Sequence, residues 1–201
     1  NEMKAIVFHG AGSDPEHIKW LIEPLEEFGY SVYAPKYTNL EEALRLSSLD
    51  KYDLYAGFSL GGAAALISSA LHGGPVIAVG APADRFIQAL WLKIHEENSF
   101  QKSLYEELVR LLGADPLENP LPYIKTSVIY YIEKIKDPVL LIQGKEDPIV
   151  RPFHTLILEE FLRRRGVRVE VVIIDGMRHA PAQHHKKLLR EIIHKFLTSL
   201  R

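Results

Sequence analysis

The segment Gly57-Phe58-Ser59-Leu60-Gly61 sets a serine between two glycines, after strand-forming residues and before an alanine-rich segment of helical character. A nucleophilic hydroxyl has to project from the backbone with its oxygen exposed, and a tight strand-to-helix turn achieves this. Such a turn strains the backbone and brings its flanking residues close together, which glycine permits. The segment therefore predicts a nucleophile at Ser59. The alternative is a glycine-rich loop that only closes a strand-to-helix connection.

A serine hydroxyl is a weak nucleophile near neutral pH and needs a general base, which is often histidine. Among nine histidines, His179 directly follows the last apolar run and precedes the final helical segment. His184 and His185 lie at the start of that helix, where solvated histidines are common, and two adjacent residues do not share one helix face. We therefore predict His179 as the base. The alternative is a turn histidine bonded only to backbone.

The base in turn needs a carboxylate that orients it. The buried run "VLLIQG" ends in Gly144-Lys145-Glu146-Asp147-Pro148. Asp147 is the predicted acid, because a short side chain before a proline-fixed turn can be held rigidly against an imidazole. Glu146 is the alternative, whereas Asp175 stands before a glycine and is expected to cap a turn.

An acyl-transfer reaction also requires N–H donors for the oxyanion of its tetrahedral intermediate. Leu60 offers one backbone N–H, since it directly follows the nucleophile. The loop after the first strand, "HGAGS", is predicted to supply the second from Ala11. A glycine-rich loop here could instead hold a dinucleotide phosphate, but G-x-G-x-x-G is absent and Asp14 follows, where an anion would be unwelcome.

The elements that must position these residues alternate along the chain. Apolar, β-branched runs occur at residues 4–8, 30–34, 52–58, 75–80, 138–144 and 167–174. Segments with apolar residues at helical spacing lie between them. Strands separated by helices predict a parallel sheet covered by helices on both faces, which is a three-layer α/β/α sandwich within one domain over residues 1–201.

Residues 83–136 break this alternation, because they contain helix-like pieces and no clear strand. They are predicted to form either further helices packed on the sheet or a small helical cap over its catalytic edge. Under the second interpretation the apolar side chains near the site form an acyl pocket, for which Trp91, Tyr130 and Tyr131 are the candidates.

Composition limits the possible functions. A net charge of −2 with mixed signs gives no electrostatic reason to expect nucleic-acid or membrane binding. The absence of cysteine excludes disulfides, thiolate metal sites and cysteine nucleophiles. No apolar run approaches the roughly 20 residues of a membrane span, and no leader-like segment precedes the first strand, so a cytoplasmic location is expected. The scarcity of Asn, Gln and Met would also suit a hot environment.

Four segments carry a resemblance to a known family: "HGAGSD", "GFSLGG", "YIEKIKDPVLLIQGKEDPIV" and "GVRVEVVIIDGMRHAP". In this order they resemble the α/β-hydrolases, and more narrowly the lone catalytic domain of the prolyl oligopeptidase and dienelactone hydrolase-like group. The resemblance spans most of residues 4–198 and is weakest over 83–136. It implies Ser59 as nucleophile, Asp147 as acid and His179 as base, with the Leu60 and Ala11 N–H groups as oxyanion donors.

Two departures from the family pattern refine these expectations. The first two strands of the usual fold have no counterpart, which implies a minimal α/β-hydrolase fold of six parallel strands in the order 2-1-3-4-5-6. No segment resembles the propeller that restricts access in oligopeptidases, which favours small esters over peptides. The sequence thus predicts a serine carboxylesterase for short to medium acyl esters, without cofactor or metal. A peptidase or thioesterase with the same triad and a non-catalytic binding scaffold are the alternatives.

Overall fold

The computed structural model describes residues 2–201, and six of its segments form one parallel sheet. The strands are Met3–Phe8 (β1), Tyr30–Tyr33 (β2), Leu54–Phe58 (β3), Val76–Val79 (β4), Val139–Gly144 (β5) and Val169–Ile174 (β6). Their order across the sheet is β2-β1-β3-β4-β5-β6, and every neighbouring pair is parallel. The expected strand order is confirmed.

Within residues 2–201, eight helices accompany the sheet. They are Lys19–Phe28 (α1), Leu40–Ser47 (α2), Leu60–His72 (α3), Arg85–Ile94 (α4), Ser99–Leu112 (α5), Leu121–Lys125 (α6), Phe153–Arg164 (α7) and Lys186–Ser199 (α8). Short 3₁₀ turns add Pro15–Ile18, Val128–Tyr130, Ile132–Lys134 and Gln183–His185.

The alternation of side chains along the strands builds two apolar layers. In β1, Ile6 and Phe8 join the layer that packs against α2, α3 and α7, whereas Ala5 and Val7 join the layer that packs against α1 and α8. All four side chains are fully buried, as expected for a parallel strand covered on both faces. These layers confirm the three-layer α/β/α architecture.

The loops that leave the carboxyl ends of the strands gather at one edge of this sheet. The loop after β1 begins at His9, β3 passes into α3 through Ser59, β5 leads to Asp147, and β6 leads to His179. Because carboxyl ends of parallel strands share one edge, residues more than 100 positions apart meet there.

Residues 83–136 contain α4, α5, α6 and two of the 3₁₀ turns, and they form no strand. Helix α4 begins after Asp84, whose Oδ1 accepts the N–H of Ile87 at 3.0 Å. Helices α4 to α6 share a separate small apolar cluster, whose buried members are Ala89, Leu92, Tyr105 and Tyr123. The two 3₁₀ turns instead bury Val128 and Ile132 in the larger layer beside α3. The segment is therefore divided between an outlying helical part and a part that belongs to the main core.

Within the described residues 2–201, none of the helices has the length and apolar character needed to cross a lipid bilayer.

Candidate active site

Ser59 occupies the turn between β3 and α3 with φ 58° and ψ −121°. Among residues 2–201 it is the only non-glycine residue with a positive φ. A Cβ atom at Gly57 would overlap the carbonyl of Gly61, and one at Gly61 would overlap the carbonyl of Phe8. The backbone N–H of Ser59 donates to the Val79 carbonyl at 2.8 Å, which ties the turn to β4. Both glycines are thus required by the close packing of the turn, and the serine hydroxyl projects from a strained backbone.

Ser59, His179 and Asp147 form one hydrogen-bonded chain. The Ser59 Oγ lies 2.9 Å from His179 Nε2, and His179 Nδ1 lies 2.6 Å from Asp147 Oδ2. The Asp147 side chain is fully buried, and the His179 side chain is 15% exposed. With Nδ1–H donating to the carboxylate, Nε2 is left to accept the serine proton, which is the tautomer that a general base requires.

The carboxylate of Asp147 is fixed by its own loop. Its Oδ1 accepts the backbone N–H groups of Ile149 at 2.8 Å and Val150 at 2.9 Å, so Oδ2 is turned towards His179. The buried amide of Gln143 donates to the Val150 carbonyl at 2.9 Å and holds the end of this loop.

Two glycines that sequence reasoning missed lie beside His179, Gly80 next to the imidazole and Gly144 against the backbone that precedes it. Gly80 has φ 59°, and a Cβ there would lie 3.4 Å from His179 Nδ1 and 3.5 Å from Asp147 Oδ2. A Cβ at Gly144 would overlap the backbone carbonyl of Arg178, next to the histidine. Their position at the carboxyl ends of β4 and β5 was the feature of the sequence that could have identified them.

The alternative residues lie outside this chain of hydrogen bonds. Glu146 is exposed, and its backbone N–H donates to the Met177 carbonyl at 2.9 Å. Asp175 is also exposed and lies 3.6 Å from the Lys145 ammonium. His185 accepts the N–H of Ala182 at 3.0 Å. The structure therefore brings together Ser59, Asp147 and His179 and none of their competitors.

The two predicted oxyanion donors line the pocket that contains Ser59. Within the described chain, the backbone N–H groups of Ala11 and Leu60 have no hydrogen-bond acceptor. That leaves both groups free for a ligand oxygen. Leu60 is also the first residue of α3, where the helix dipole favours negative charge.

A buried histidine that sequence reasoning missed positions the Ala11 loop. His9 is fully buried, its Nδ1 lies 2.6 Å from the Gly10 carbonyl, and its Nε2 accepts the N–H of Tyr37 at 3.2 Å. The Tyr37 hydroxyl donates to the His9 carbonyl, and the two rings stack at 4.3 Å. These contacts fix the Nδ1–H tautomer of His9 and hold the loop in one conformation.

The pocket beside Ser59 has a volume of about 250 Å³ and is largely apolar. Its aliphatic wall comes from α4 and α5, with Leu92, Leu104, Leu108 and Leu111. Arg85, Gln88 and Glu107 are the charged and amide side chains that also line it. Leu104, Leu108 and Leu111 follow the i, i+4, i+7 spacing of one helix face, and this spacing was the signal that could have identified them.

The aromatic residues predicted to line an acyl pocket are not among the residues that line this one. Trp91 stacks on His95 with ring centroids 4.2 Å apart and packs against the small apolar cluster of α4 to α6. Tyr130 is 54% exposed, and Tyr131 packs against the main core. The 3₁₀ turns that contain or flank these tyrosines bury Val128 and Ile132 in that core.

Residues 2–201 contain no group of three or more His, Cys, Asp or Glu side chains arranged to hold a metal ion.

The model of the prolyl oligopeptidase family matches residues 49–199, which include all three hydrogen-bonded side chains. The chain belongs to the prolyl oligopeptidase family. This places the chain in the α/β-hydrolase superfamily, as the resemblance implied.

A curated relative of this family member is the uncharacterized peptidase YtmA of Bacillus subtilis. The two are 26% identical over 140 residues, which cover 68% of this chain and 51% of YtmA. The chain thus spans about half the length of the curated relative that it matches.

Solved structures with the same fold include a lipase and a peptidase. The monoacylglycerol lipase of Paleococcus ferrophilus is 22% identical with a TM-score of 0.70, over 98% of this chain and 94% of that one. Est1E from Butyrivibrio proteoclasticus is 20% identical with a TM-score of 0.69, over 99% and 88%. A puromycin-hydrolyzing peptidase of Mycobacterium tuberculosis is 17% identical with a TM-score of 0.71, over 95% and 32%. At these identities the likeness shows the fold.

Proposed function

We propose that the chain is a serine carboxylesterase that cleaves short to medium acyl esters through an acyl-serine intermediate. The observation that carries the proposal is the hydrogen-bonded chain Ser59–His179–Asp147 at the wall of an apolar pocket. A serine with a base and an orienting acid is the arrangement that activates a hydroxyl for acyl transfer.

In the proposed reaction, Ser59 Oγ attacks the ester carbonyl while His179 Nε2 takes its proton. The Ala11 and Leu60 N–H groups stabilise the oxyanion of the tetrahedral intermediate. His179 then protonates the leaving alcohol, and the acyl group remains on Ser59. Water activated by His179 releases the acid and restores the serine. Asp147 keeps the imidazole in its tautomer and stabilises the imidazolium that forms.

The preference for esters of modest length rests on the wall formed by α4 and α5. A pocket of about 250 Å³ with aliphatic side chains suits a short acyl chain. In this proposal α4 and α5 act as a small cap, because Leu104 and Leu108 reach the pocket from outside the sheet.

A peptidase with the same three residues is the second candidate. It is favoured by the family to which the chain belongs and by the description of YtmA as a peptidase. A matched pair of substrates separates the two functions: 4-nitrophenyl butyrate and an aminoacyl 4-nitroanilide. We expect faster turnover of the ester. Faster cleavage of the amide would replace the esterase proposal by the peptidase.

A binding scaffold without catalysis is tested separately. A fluorophosphonate probe should label wild-type protein at Ser59, and peptide mapping by mass spectrometry identifies the modified residue. Ser13, a serine of the same pocket, is the internal control and should remain unlabelled. Absence of labelling at Ser59 in folded protein would contradict the proposed hydrolase mechanism.

A further inference from the structure

Arg85 is a buried cation at the wall of the pocket that contains Ser59. It is the first residue of α4, and its exposed fraction is 4%. The residue lines this pocket and also an adjoining one of about 240 Å³. Both pockets share Ala11 and Leu60, the predicted oxyanion donors. Arg85 therefore lies where the two pockets adjoin.

The guanidinium of Arg85 forms few hydrogen bonds within the described chain. Nη1 donates to Thr126 Oγ1 at 3.2 Å, and this is its one side-chain hydrogen bond to another residue of the described chain. Tyr37 and Tyr123 lie near, but their hydroxyls donate to the carbonyls of His9 and Ala114. A guanidinium offers five N–H donors, so most of them are left for a ligand.

No carboxylate of residues 2–201 forms an ion pair with Arg85. Glu107 lines the same pocket, but its carboxylate pairs with the Arg110 guanidinium on the exposed side of α5. Burial lowers the pKa of Arg85 to about 10, which still leaves the group charged at neutral pH. A buried charge without a counter-ion is costly, and an anion bound beside it would offset that cost.

A purely structural role explains little of this arrangement. The attachment of α4 to the turn after α6 is made by the backbone N–H of Arg85, which donates to Ser127 Oγ at 2.8 Å. Any residue other than proline could make that bond. The charged end of the side chain adds only the contact with Thr126.

We propose that Arg85 binds an anionic group of the substrate, a carboxylate or a phosphate, so that the preferred esters carry a negative charge in their acyl or alcohol part. The proposal rests on the esterase function above and specifies its substrate class. The planar fork of a guanidinium matches both anions with two parallel hydrogen bonds.

Two pairs of substrates test the proposal and locate the charge. Mono-4-nitrophenyl adipate and its neutral methyl ester differ by a carboxylate in the acyl part. 1-Butyrylglycerol 3-phosphate and 1-butyrylglycerol differ by a phosphate in the alcohol part. In wild-type protein, we expect kcat/KM for the charged member of at least one pair to exceed that of its neutral partner by about 10-fold or more.

Substitutions assign this preference to the guanidinium. Arg85→Gln should lower the charged-to-neutral ratio by about 10- to 100-fold, and Arg85→Lys should retain part of it. Arg163→Gln is the matched control, because Arg163 is exposed on α7, pairs with Glu159 and lies outside both pockets. It should leave the ratio unchanged. Ratios near one in wild-type protein, or equal losses for both members of each pair in Arg85→Gln, would overturn the proposal.

A binding measurement distinguishes failure of this inference from failure of the esterase proposal. At matched ionic strength, adipate or glycerol 3-phosphate should raise the Tm of wild-type protein but not that of Arg85→Gln. The neutral analogues adipamide and glycerol should raise neither. If no ester is hydrolysed but this difference in Tm is found, the anion site stands and the esterase proposal fails. If esters are hydrolysed without any preference for charge and no anion raises the Tm, the anion site fails and the esterase proposal stands.

Discussion

The carboxyl edge of the sheet and the helical part formed by α4 and α5 hold their residues in different ways. At the sheet edge, Ser59 is fixed by a strained turn between close-packed glycines, and Asp147 by two backbone N–H groups. On α5, Leu104 and Leu108 are partly exposed and lie beside a cluster of only four buried residues. The proposed chemistry thus depends on backbone geometry, whereas the proposed specificity depends on side chains that a few substitutions can rearrange.

Removing the nucleophile is the most severe test of the rigid region. Ser59→Ala should lower kcat for 4-nitrophenyl butyrate by about 10⁶-fold, since residues of a triad act as a unit. The circular dichroism spectrum and Tm should stay close to those of wild-type protein. A variant that kept a tenth of the wild-type kcat would show that another residue is the nucleophile.

The acid should have the next largest effect. Asp147→Asn keeps the shape of the side chain but favours the wrong histidine tautomer, so we expect a loss of about 10⁴-fold in kcat. Glu146→Gln is the matched control, because Glu146 is the exposed neighbour in the same loop, and its kcat should stay near the wild-type value. The opposite pattern would assign the role of acid to Glu146.

His154 lies where the two regions meet and should make the fold sensitive to acid. Its buried Nδ1 accepts the N–H of Ala83 at 3.1 Å, and burial lowers the pKa of His154 to about 4. In the unfolded chain His154 takes up a proton near pH 6.5. Above that pH the buried, neutral side chain therefore makes its full contribution to the free energy of unfolding. It is lost as the pH falls to about 4, a change of about 3 kcal/mol in the free energy of unfolding.

The measurement is urea unfolding at several pH values between 7 and 4. The Oδ1 of the asparagine in His154→Asn can accept the same N–H. Over this range the free energy of unfolding of this variant should fall by about 3 kcal/mol less than that of wild-type protein. His184→Asn changes an exposed histidine and should follow the wild-type curve. Equal pH dependence of wild type and His154→Asn would contradict the proposed cause.

Substitutions on α5 should alter specificity and leave the chemistry intact. In wild-type protein, each additional acyl carbon should raise kcat/KM by roughly fourfold until the pocket is full, because burial of one methylene contributes about 0.8 kcal/mol. Leu108→Trp fills part of that space, so octanoate esters should lose about 10-fold relative to acetate esters. Tyr130→Phe, outside the pocket, should leave the chain-length profile unchanged. A Leu108→Trp profile identical to that of wild type would place the acyl chain elsewhere.

The smallest expected effect concerns the strain at Ser59. Glycine adopts a positive φ without steric cost, whereas alanine does not. Ser59→Gly should therefore be more stable than Ser59→Ala by about 1 kcal/mol, although both lack the hydroxyl. Urea unfolding of the two inactive variants measures the difference. Greater stability of the alanine variant would argue against backbone strain in the turn.

The contrast between the sheet edge and the helical part formed by α4 and α5 also explains which residues could be predicted from the sequence. Ser59 could be chosen as a candidate because its turn needs glycines at fixed positions. Asp147 and His179 could be placed near it because parallel strands bring their following loops to one edge. The strand order matched the family resemblance. All of these follow from backbone constraints that leave a trace in residue type and spacing.

No comparable backbone constraint fixes the residues that line the pocket wall. Trp91 belongs to an apolar helix face, but whether that face meets the site depends on how α4 is rotated against α5, and no residue type records this angle. Arg85 and His9 were missed for a related reason. A lone arginine or histidine in a sequence is usually a surface residue, and burial becomes visible only when Thr126 or Tyr37 is brought alongside.

The separate apolar cluster of α4 to α6 has a consequence for how this protein can change over evolutionary time. Its four buried residues belong to neither of the two layers that flank the sheet. Free-energy changes at sites without shared contacts add nearly independently. Substitutions on α5 that adapt the proposed pocket to a new substrate can therefore accumulate nearly independently of substitutions that stabilise the sheet. Either set can be inherited without the other. Recombination within the loops that flank this segment would exchange the proposed specificity wall while Ser59, His179 and Asp147 stay together in the rest of the chain.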